Sequence, residues 1–458
     1  MSLFSKILFH TKGNFLRSVI TIAIPITLQS IMFSSRGLVD LLMIGKLGEV
    51  EIATIGVAAR ATFITTVVLI GVTTGGSLLT AQYWGAGDEN GVRESTALTW
   101  LVSMLFAALI ATFFILFPNQ VMLLTTSSEK VKALGSQYLS VTAVNMFAIA
   151  CIASMSVGLR TIHQPSISTF FSGIGILSNI FLNWIFILGN FGVQPMGVEG
   201  AAIATVFSGI IEVLTLYGYL YAKKHLLAFR VYDITQAIEW KKIIRFLKLS
   251  LPTTFNFFVW AAGLFAYHAI MGRSSIQGLI ALSVMIPIES ISLTLLIGMS
   301  NAAAVLVGNQ LGAKNYDVIY YQALGLTALN LMLGIIVSIT LYLLHIPILN
   351  LFSALTTETR ALAEKFIIIL SLGIVLRSIP MIVIIGILRA GGDVKFCLYQ
   401  DLIVQWLVSI PLSAFSATVL NLPPEWIYLL FLTEEIIKWT GSLHRMKSKR
   451  WMQNLIEN

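Results

Sequence analysis

Residues 71–92 read GVTTGGSLLTAQYWGAGDENGV, and residues 298–319 read GMSNAAAVLVGNQLGAKNYDVI. At an offset of 227 the pairs Gly71/Gly298, Gly85/Gly312 and Ala86/Ala313 coincide. The same offset places Pro25 on Pro252 and Gly45 on Gly272. At an offset of 229, the Gly-Leu-Arg ending at Arg160 meets the Ile-Leu-Arg ending at Arg389. Landmarks that recur at nearly one spacing argue against chance likeness between apolar helices. The chain reads as two related halves of the same topology, the pattern of a two-lobed membrane transporter with its site between the halves.

Composition agrees. The 458 residues are 57% hydrophobic and 11% charged, with a mean hydropathy of +0.87. An average soluble domain carries roughly 25% charged residues, and a soluble protein this poor in charge could not cover its own surface. A soluble enzyme, a nucleic-acid binder and a disordered scaffold are excluded. The net charge of +8 is spread thinly and forms no basic face.

A helix needs about 20 mostly apolar residues to cross a bilayer. Twelve windows meet that need, at 15–44, 51–81, 95–117, 133–157, 166–188, 200–221, 246–271, 276–307, 318–343, 362–388, 394–419 and 425–443. They lack the short alternating segments of a membrane barrel. The fold class is therefore an all-α membrane protein of twelve transmembrane helices in two pseudo-symmetric six-helix bundles. Pro25, Pro252, Pro287 and Pro380 fall inside or at the start of windows, where breaks suit helices packed around a cavity. The basic stretch AKKHLLAFRVYDITQAIEWKKIIR at 222–245 is the natural linker. It separates an N-terminal lobe at 1–221 from a C-terminal lobe at 246–458. Of the 29 Lys and Arg, 18 fall on the side of the termini, 6 on the other side, and Arg36, Arg60, Lys248, Arg377 and Lys438 inside windows. This bias puts both termini in the cytoplasm of a multi-pass inner-membrane protein. The N-terminus, MSLFSKILFHTKGNFLRS, reads as a short cytoplasmic leader without a small-residue cleavage site, not a removed signal peptide.

An ionisable side chain at bilayer depth costs about 2.5–3.5 kcal/mol on insertion scales, so each calls for a partner or a function. Asp40 lies in the first window, with Arg36 four residues earlier on the same helix face. Either Asp40 is a proton or cation site, or it forms a static pair with Arg36. Asn179 and Asn183 share a face of the fifth window. Their amide oxygens suit Na+ beside a carboxylate, and they equally suit hydrogen bonds between helices. In the second half, Glu289 and Asp401 lack a basic neighbour at helical spacing, and Arg377 or His268 are their candidate partners. They form either a second coupling cluster or a structural network. Glu212 reads as lying near the cytoplasmic end of its span, and Glu434 and Glu435 as facing Lys438 and the interface.

No zinc-protease, nucleophile-elbow or phosphate-loop pattern occurs, and the six histidines are scattered. An enzyme reading has no constellation to rest on, and no cofactor is expected. Cys151 and Cys397 sit in apolar stretches as small hydrophobes.

The segments VDLLMIGKLG at 39–48, QYWGAG at 82–87, GLRTIHQP at 158–165, GNQLGA at 308–313 and ILRAGGDVKF at 387–396, with LNWIFILGNFGVQPMGVEGAAIATVFS at 182–208, identify a resemblance. Together they resemble the MATE family of multidrug and toxic compound extrusion transporters, over essentially the whole chain. The resemblance implies two helical bundles forming a V-shaped chamber. It also implies antiport of an organic, often cationic and amphipathic compound against H+ or Na+. Asp40 matches the family's first-helix aspartate used in cation coupling, and Asn179 and Thr205 match polar positions that accompany it. A possible Na+ would sit at Asp40, Asn179 and Asn183. The chain departs from the family where many members carry Asp in span five and it has Asn183. It departs again where one subfamily has Glu in span seven and Asp in span ten: here stand Trp260, or a close neighbour, and Ser378. The partners expected are small-molecule substrates and the lipid bilayer, with no nucleic acid, and a monomer. The runner-up is a lipid-linked precursor flippase of the same superfamily, which needs more bases facing its chamber, with Arg36, Arg60 and Arg377 as candidates.

Overall fold

The computed structural model describes residues 3–44, 48–123, 128–352 and 355–457. Gly45 and Lys46, used above in the repeat and in the charge bias, lie outside them. In chain order the helices are α1 (Leu3–Thr11), α2 (Asn14–Ile44), α3 (Glu49–Gly85), α4 (Glu89–Leu116), α5 (Pro118–Leu123), α6 (Glu129–Thr142), α7 (Asn145–Thr161), α8 (Pro165–Phe186), α9 (Gly197–Ala222) and α10 (Val231–Ala237). Then follow α11 (Trp240–Ser274), α12 (Ile276–Gly312), α13 (Tyr316–Leu343), α14 (His345–Asn350), α15 (Thr357–Pro380), α16 (Val394–Asp401), α17 (Ile410–Thr418), α18 (Pro424–Phe431) and α19 (Thr433–Lys447). Two π-helical stretches interrupt the second half, Met381–Leu388 after α15 and Leu402–Ser409 after α16.

The repeat is visible in the helix ends. Helices α3 and α12 each have 37 residues, α4 and α13 each have 28, and both pairs begin and end 227 residues apart. The turn between them is made alike in both halves. After α3 the chain reverses through Gly87 at φ 73°, and after α12 through Lys314 at φ 61°. Left-handed backbone is free for glycine and disfavoured for lysine, so the second half keeps the turn against its local cost. Asp88 then caps α4, accepting from the Gly91 amide at 2.9 Å.

Two compact units divide the chain, Leu28–Thr254 and Met1–Thr27 with Phe255–Asn458. Each division falls inside a long helix two residues after a repeat-related proline, Pro25 in α2 and Pro252 in α11. A proline removes one backbone donor and clashes with the preceding turn, which makes these the weak points of helices of 31 and 35 residues. The stretch 222–245 belongs to the Leu28–Thr254 unit and is held there by side chains. Arg93 Nε donates to the Leu226 carbonyl at 3.1 Å, and Lys242 pairs with Glu94 at 2.7 Å. The His225 ring meets Gln164 at 2.9 Å, and burial holds that imidazole below its usual range.

The Leu28–Thr254 unit packs around Met122, Leu139, Ile187 and Ala201. The other unit packs around Leu311, Ile387 and Trp451 and around Phe366, Leu370 and Ile427. Outward faces of the long helices stay apolar, as with Leu105, Leu109, Phe113 and Leu116 on α4, which is the surface of a protein solvated by lipid.

Among the described residues, ten helices are long and apolar enough to cross a membrane, and an eleventh span results if the bent pair α6–α7 is counted as one. The window expected at 133–157 is that pair, bent by 48°. The last window, 425–443, is carried by the short helices α18 and α19. Glu434, Glu435 and Lys438 fall in α19 and dilute its hydropathy.

Close packing of α8 on α9 yields a test. A Cβ on Gly200 would sit 2.6 Å from the Phe186 carbonyl oxygen, whereas one on Gly218 of the same helix meets nothing within 4 Å. Gly200→Ala should cost about 1–3 kcal/mol and lower the melting temperature in detergent, while Gly218→Ala should leave it unchanged or raised.

Candidate functional site

The Leu28–Thr254 unit brings together three residues singled out from the sequence. Asp40 on α2 is 6% exposed, and Asn179 and Asn183 on α8 are fully buried. The Asn183 amide Nδ2 donates to Asp40 Oδ1 at 2.5 Å and lies 3.4 Å from Asn179 Oδ1. The two asparagines are one helical turn apart, so one face of α8 presents both amides to the carboxylate. Thr205 on α9 and Tyr138 on α6 complete the surround, with the Tyr138 hydroxyl beside both Thr205 and Asp40. One polar atom here, Asn183 Oδ1, is buried with no hydrogen-bond partner among the described residues. An unsatisfied buried acceptor of this kind costs about 1–3 kcal/mol, and a bound cation or proton donor beside Asp40 would satisfy it.

Arg36 does not pair with Asp40. Its Nη2 binds Glu212 Oε2 at 2.8 Å, and the other Glu212 oxygen accepts from Ser172 Oγ at 2.8 Å. Gln29 Nε2 extends the network, donating to Ser172 at 3.0 Å and Ser156 at 3.2 Å. Gly175 on α8 makes room for the pair, since a Cβ there would press on Glu212 and come within 2.9 Å of Arg36 Nη2. Glu212, within α9, is 3% exposed and consumes the one base that local spacing offered Asp40. The static Arg36–Asp40 pair is not formed. Arg36 remains close enough to act on Asp40 through space, but Asp40 has no ion-pair contact of its own among the described residues.

In the other unit, Glu289 on α12 pairs with Arg377 on α15, as one of the expected pairings had it. Asp401 pairs instead with Lys438 at 2.9 Å and accepts from Asn256 Nδ2 at 2.7 Å. His268 joins neither acid: its Nδ1 meets the Leu264 carbonyl at 2.8 Å. Glu434 meets Lys438 at 4.0 Å as expected, but neither it nor Glu435 faces an interface; both are buried. Sequence reading passed over Tyr138, Tyr267 and Tyr428, because a tyrosine in an apolar window carries no local sign of what its hydroxyl meets.

An acid without a salt bridge, ringed by amides and a hydroxyl, can take a proton or a small hard cation. Among the described residues no three His, Cys, Asp or Glu side chains converge as a metal site, so a cation at Asp40 would draw on one carboxylate and neutral oxygens. Breaking the neighbouring ion pair has a different expected result. Arg36→Ala should destabilise the protein by roughly 3–5 kcal/mol by stranding Glu212. Adding Glu212→Gln should recover most of that loss in thermal melts, and adding Asp40→Asn should not.

The comparisons with known proteins agree with this architecture. The MatE family model matches residues 25–185 and 252–415, one match in each half, each starting at a repeat-related proline. The multidrug resistance protein NorM of Photobacterium profundum is 25% identical over 440 residues, covering 94% of this chain and 91% of that one. The uncharacterised transporter YisQ of Bacillus subtilis is 24% identical over 458 residues, covering 95% of each. Among solved structures, a MATE protein crystallised with the ligand MaL6 superposes with a TM-score of 0.86 at 16% identity over 99% of both chains. Two matched halves, a repeat of 227 residues and a shared fold place this chain in the MatE family of multi-span membrane transporters.

Proposed function

We propose that this chain is a secondary active exporter that moves organic, often cationic and amphipathic, compounds out of the cell against H+ or Na+. The observation that carries the reading is the state of Asp40: buried, held by Asn183, and without a salt bridge among the described residues, Arg36 being taken by Glu212. Ligand-free, such a site favours protein conformations in which water reaches the carboxylate. Occupied by a proton or by Na+, with Asn179, Asn183 and Thr205 as neutral oxygens, it tolerates burial. A ligand shifts a conformational equilibrium only through different affinities for the two states, and a carboxylate whose hydration changes between states provides that difference. Multidrug resistance proteins of the NorM type among the relatives support export as the direction. In this reading the protein is a monomer of the inner membrane with both termini in the cytoplasm.

The flippase alternative needs free bases for a pyrophosphate. Two of its three candidates are committed to carboxylates, Arg36 to Glu212 and Arg377 to Glu289 and Glu435.

In proteoliposomes given a proton or Na+ gradient separately, the native chain should extrude a fluorescent organic cation under one of them. Asp40→Asn should insert normally and reduce that flux to the level of protein-free vesicles. Undiminished gradient-driven efflux by Asp40→Asn would refute the coupling role.

A further inference from the structure

The unit formed by Met1–Thr27 and Phe255–Asn458 holds a largely buried ionic network whose charges, among the described residues, do not balance. Lys438 on α19 sits between Asp401, at 2.9 Å, and Glu434, at 4.0 Å. Glu434 also accepts from the Tyr267 hydroxyl of α11 at 2.8 Å. Asp401 accepts from Asn256, whose own oxygen accepts from Arg389. Arg377 on α15 binds Glu289 of α12 through Nη1 and reaches Glu435 with Nε at 3.4 Å. Four carboxylates, Glu289, Asp401, Glu434 and Glu435, therefore meet three cations, Arg377, Lys438 and Arg389. The nearby Asp393 is already taken by Arg445 at 2.5 Å. One negative charge is left over. In a low-dielectric interior an uncompensated carboxylate is far more costly than a protonated one.

The hydrogen bonds say which acid is left over. Glu289 has the closer arm of Arg377, Asp401 has Lys438 and Asn256, and Glu434 has Tyr267 and Lys438. Glu435 has a second share of Arg377 and the field of Lys438, opposed by Glu434 and Asp401. A further observation points at the same spot. The Tyr428 hydroxyl of α18, 4% exposed, stands beside Arg377 and Glu289 with no hydrogen-bond partner. It is placed to serve Glu289 if the guanidinium turns to Glu435. The two π-helical stretches begin right after Pro380 and right after Asp401, and such irregular turns are frequent at functional sites.

We propose that Glu435 is a proton-binding residue of this transporter, neutral while Arg377 holds Glu289. The proton's other acceptor is Glu289. When the guanidinium swings to Glu435, the proton passes to Glu289, whose neutral carboxyl then pairs with the Tyr428 hydroxyl. No charge enters or leaves the network in that exchange. Glu289 is the more open of the two, with 25% of its side chain exposed against 10% for Glu435, so it is the end of the network at which the proton is exchanged. The inference stands apart from the reading of Asp40, which lies in the other unit.

Infrared spectroscopy of the full chain in lipid nanodiscs tests it. An Asp40→Asn background removes the acid of the first site. In that background a carbonyl band of a protonated carboxylic acid, shifted by deuterium exchange, should be present at neutral pH. Glu435→Gln should abolish it and Glu434→Gln should leave it in place. Gln has the shape of the neutral acid, so Glu435→Gln should fold and melt at or above the temperature of its parent. Absence of the band, its loss in Glu434→Gln with survival in Glu435→Gln, or misfolding of Glu435→Gln would each overturn the proposal. Failure of Asp40→Asn in the transport assay bears on neither outcome, because the readout here is spectroscopic.

Discussion

The structure depends on one constraint: a charge buried among apolar side chains must be paired, hydrogen-bonded or neutralised. Arg36 and Glu212 satisfy it as a pair, with Ser172 taking the second carboxylate oxygen. Asp401 and Lys438 satisfy it as a pair assisted by Asn256. Among the described residues Asp40 has amides and no salt bridge, and Glu435 has a shared arginine and the field of Lys438. A buried charge fully satisfied in one conformation resists change, since breaking such a pair costs several kcal/mol. The under-satisfied acids are different. Their free energy depends strongly on solvent access and on proton or ion occupancy, which is the property a coupling site requires. Function is therefore sought where compensation is incomplete, and the complete pairs beside each site are the scaffold that keeps it so.

The repeat was readable because it is written in backbone chemistry. Glycine and proline landmarks at an offset of 227 mark helix ends and breaks, and α3, α4, α12 and α13 end where that offset requires. Asp40, Asn179 and Asn183 were readable because polar residues in long apolar windows are conspicuous, and because a spacing of four places two side chains on one helix face. The partner of Arg36 was not readable. Local spacing favours Asp40, four residues away, while the contact actually made is with Glu212, 176 residues along the chain. A single sequence carries local periodicity and has no record of which helix faces which. Glu434 and Glu435 were hidden for the same reason: on one helix with Lys438 they look like an amphipathic end, and only the arrival of Arg377, Asp401 and Tyr267 from three other helices makes them interior residues.

The two halves share a backbone plan and differ in electrostatics. At the repeat offset Asp40 corresponds to Tyr267 and Arg36 to Gly263, so the acid of the first half has no counterpart at its own position in the second. The second half carries its acids on α12, α16 and α19 instead, and Tyr267, standing where the aspartate would be, donates to one of them. A hydroxyl in place of a carboxylate turns an acceptor-only group into one that also donates, and it holds Glu434 beside Lys438. That anchoring is what leaves the remaining imbalance on Glu435. Duplication thus preserved the helices that build each unit while the charges diverged. In one unit a single acid is isolated by diverting its nearest base; in the other, four acids share three bases. Among the described residues, both arrangements end with one carboxylate whose charge is not matched.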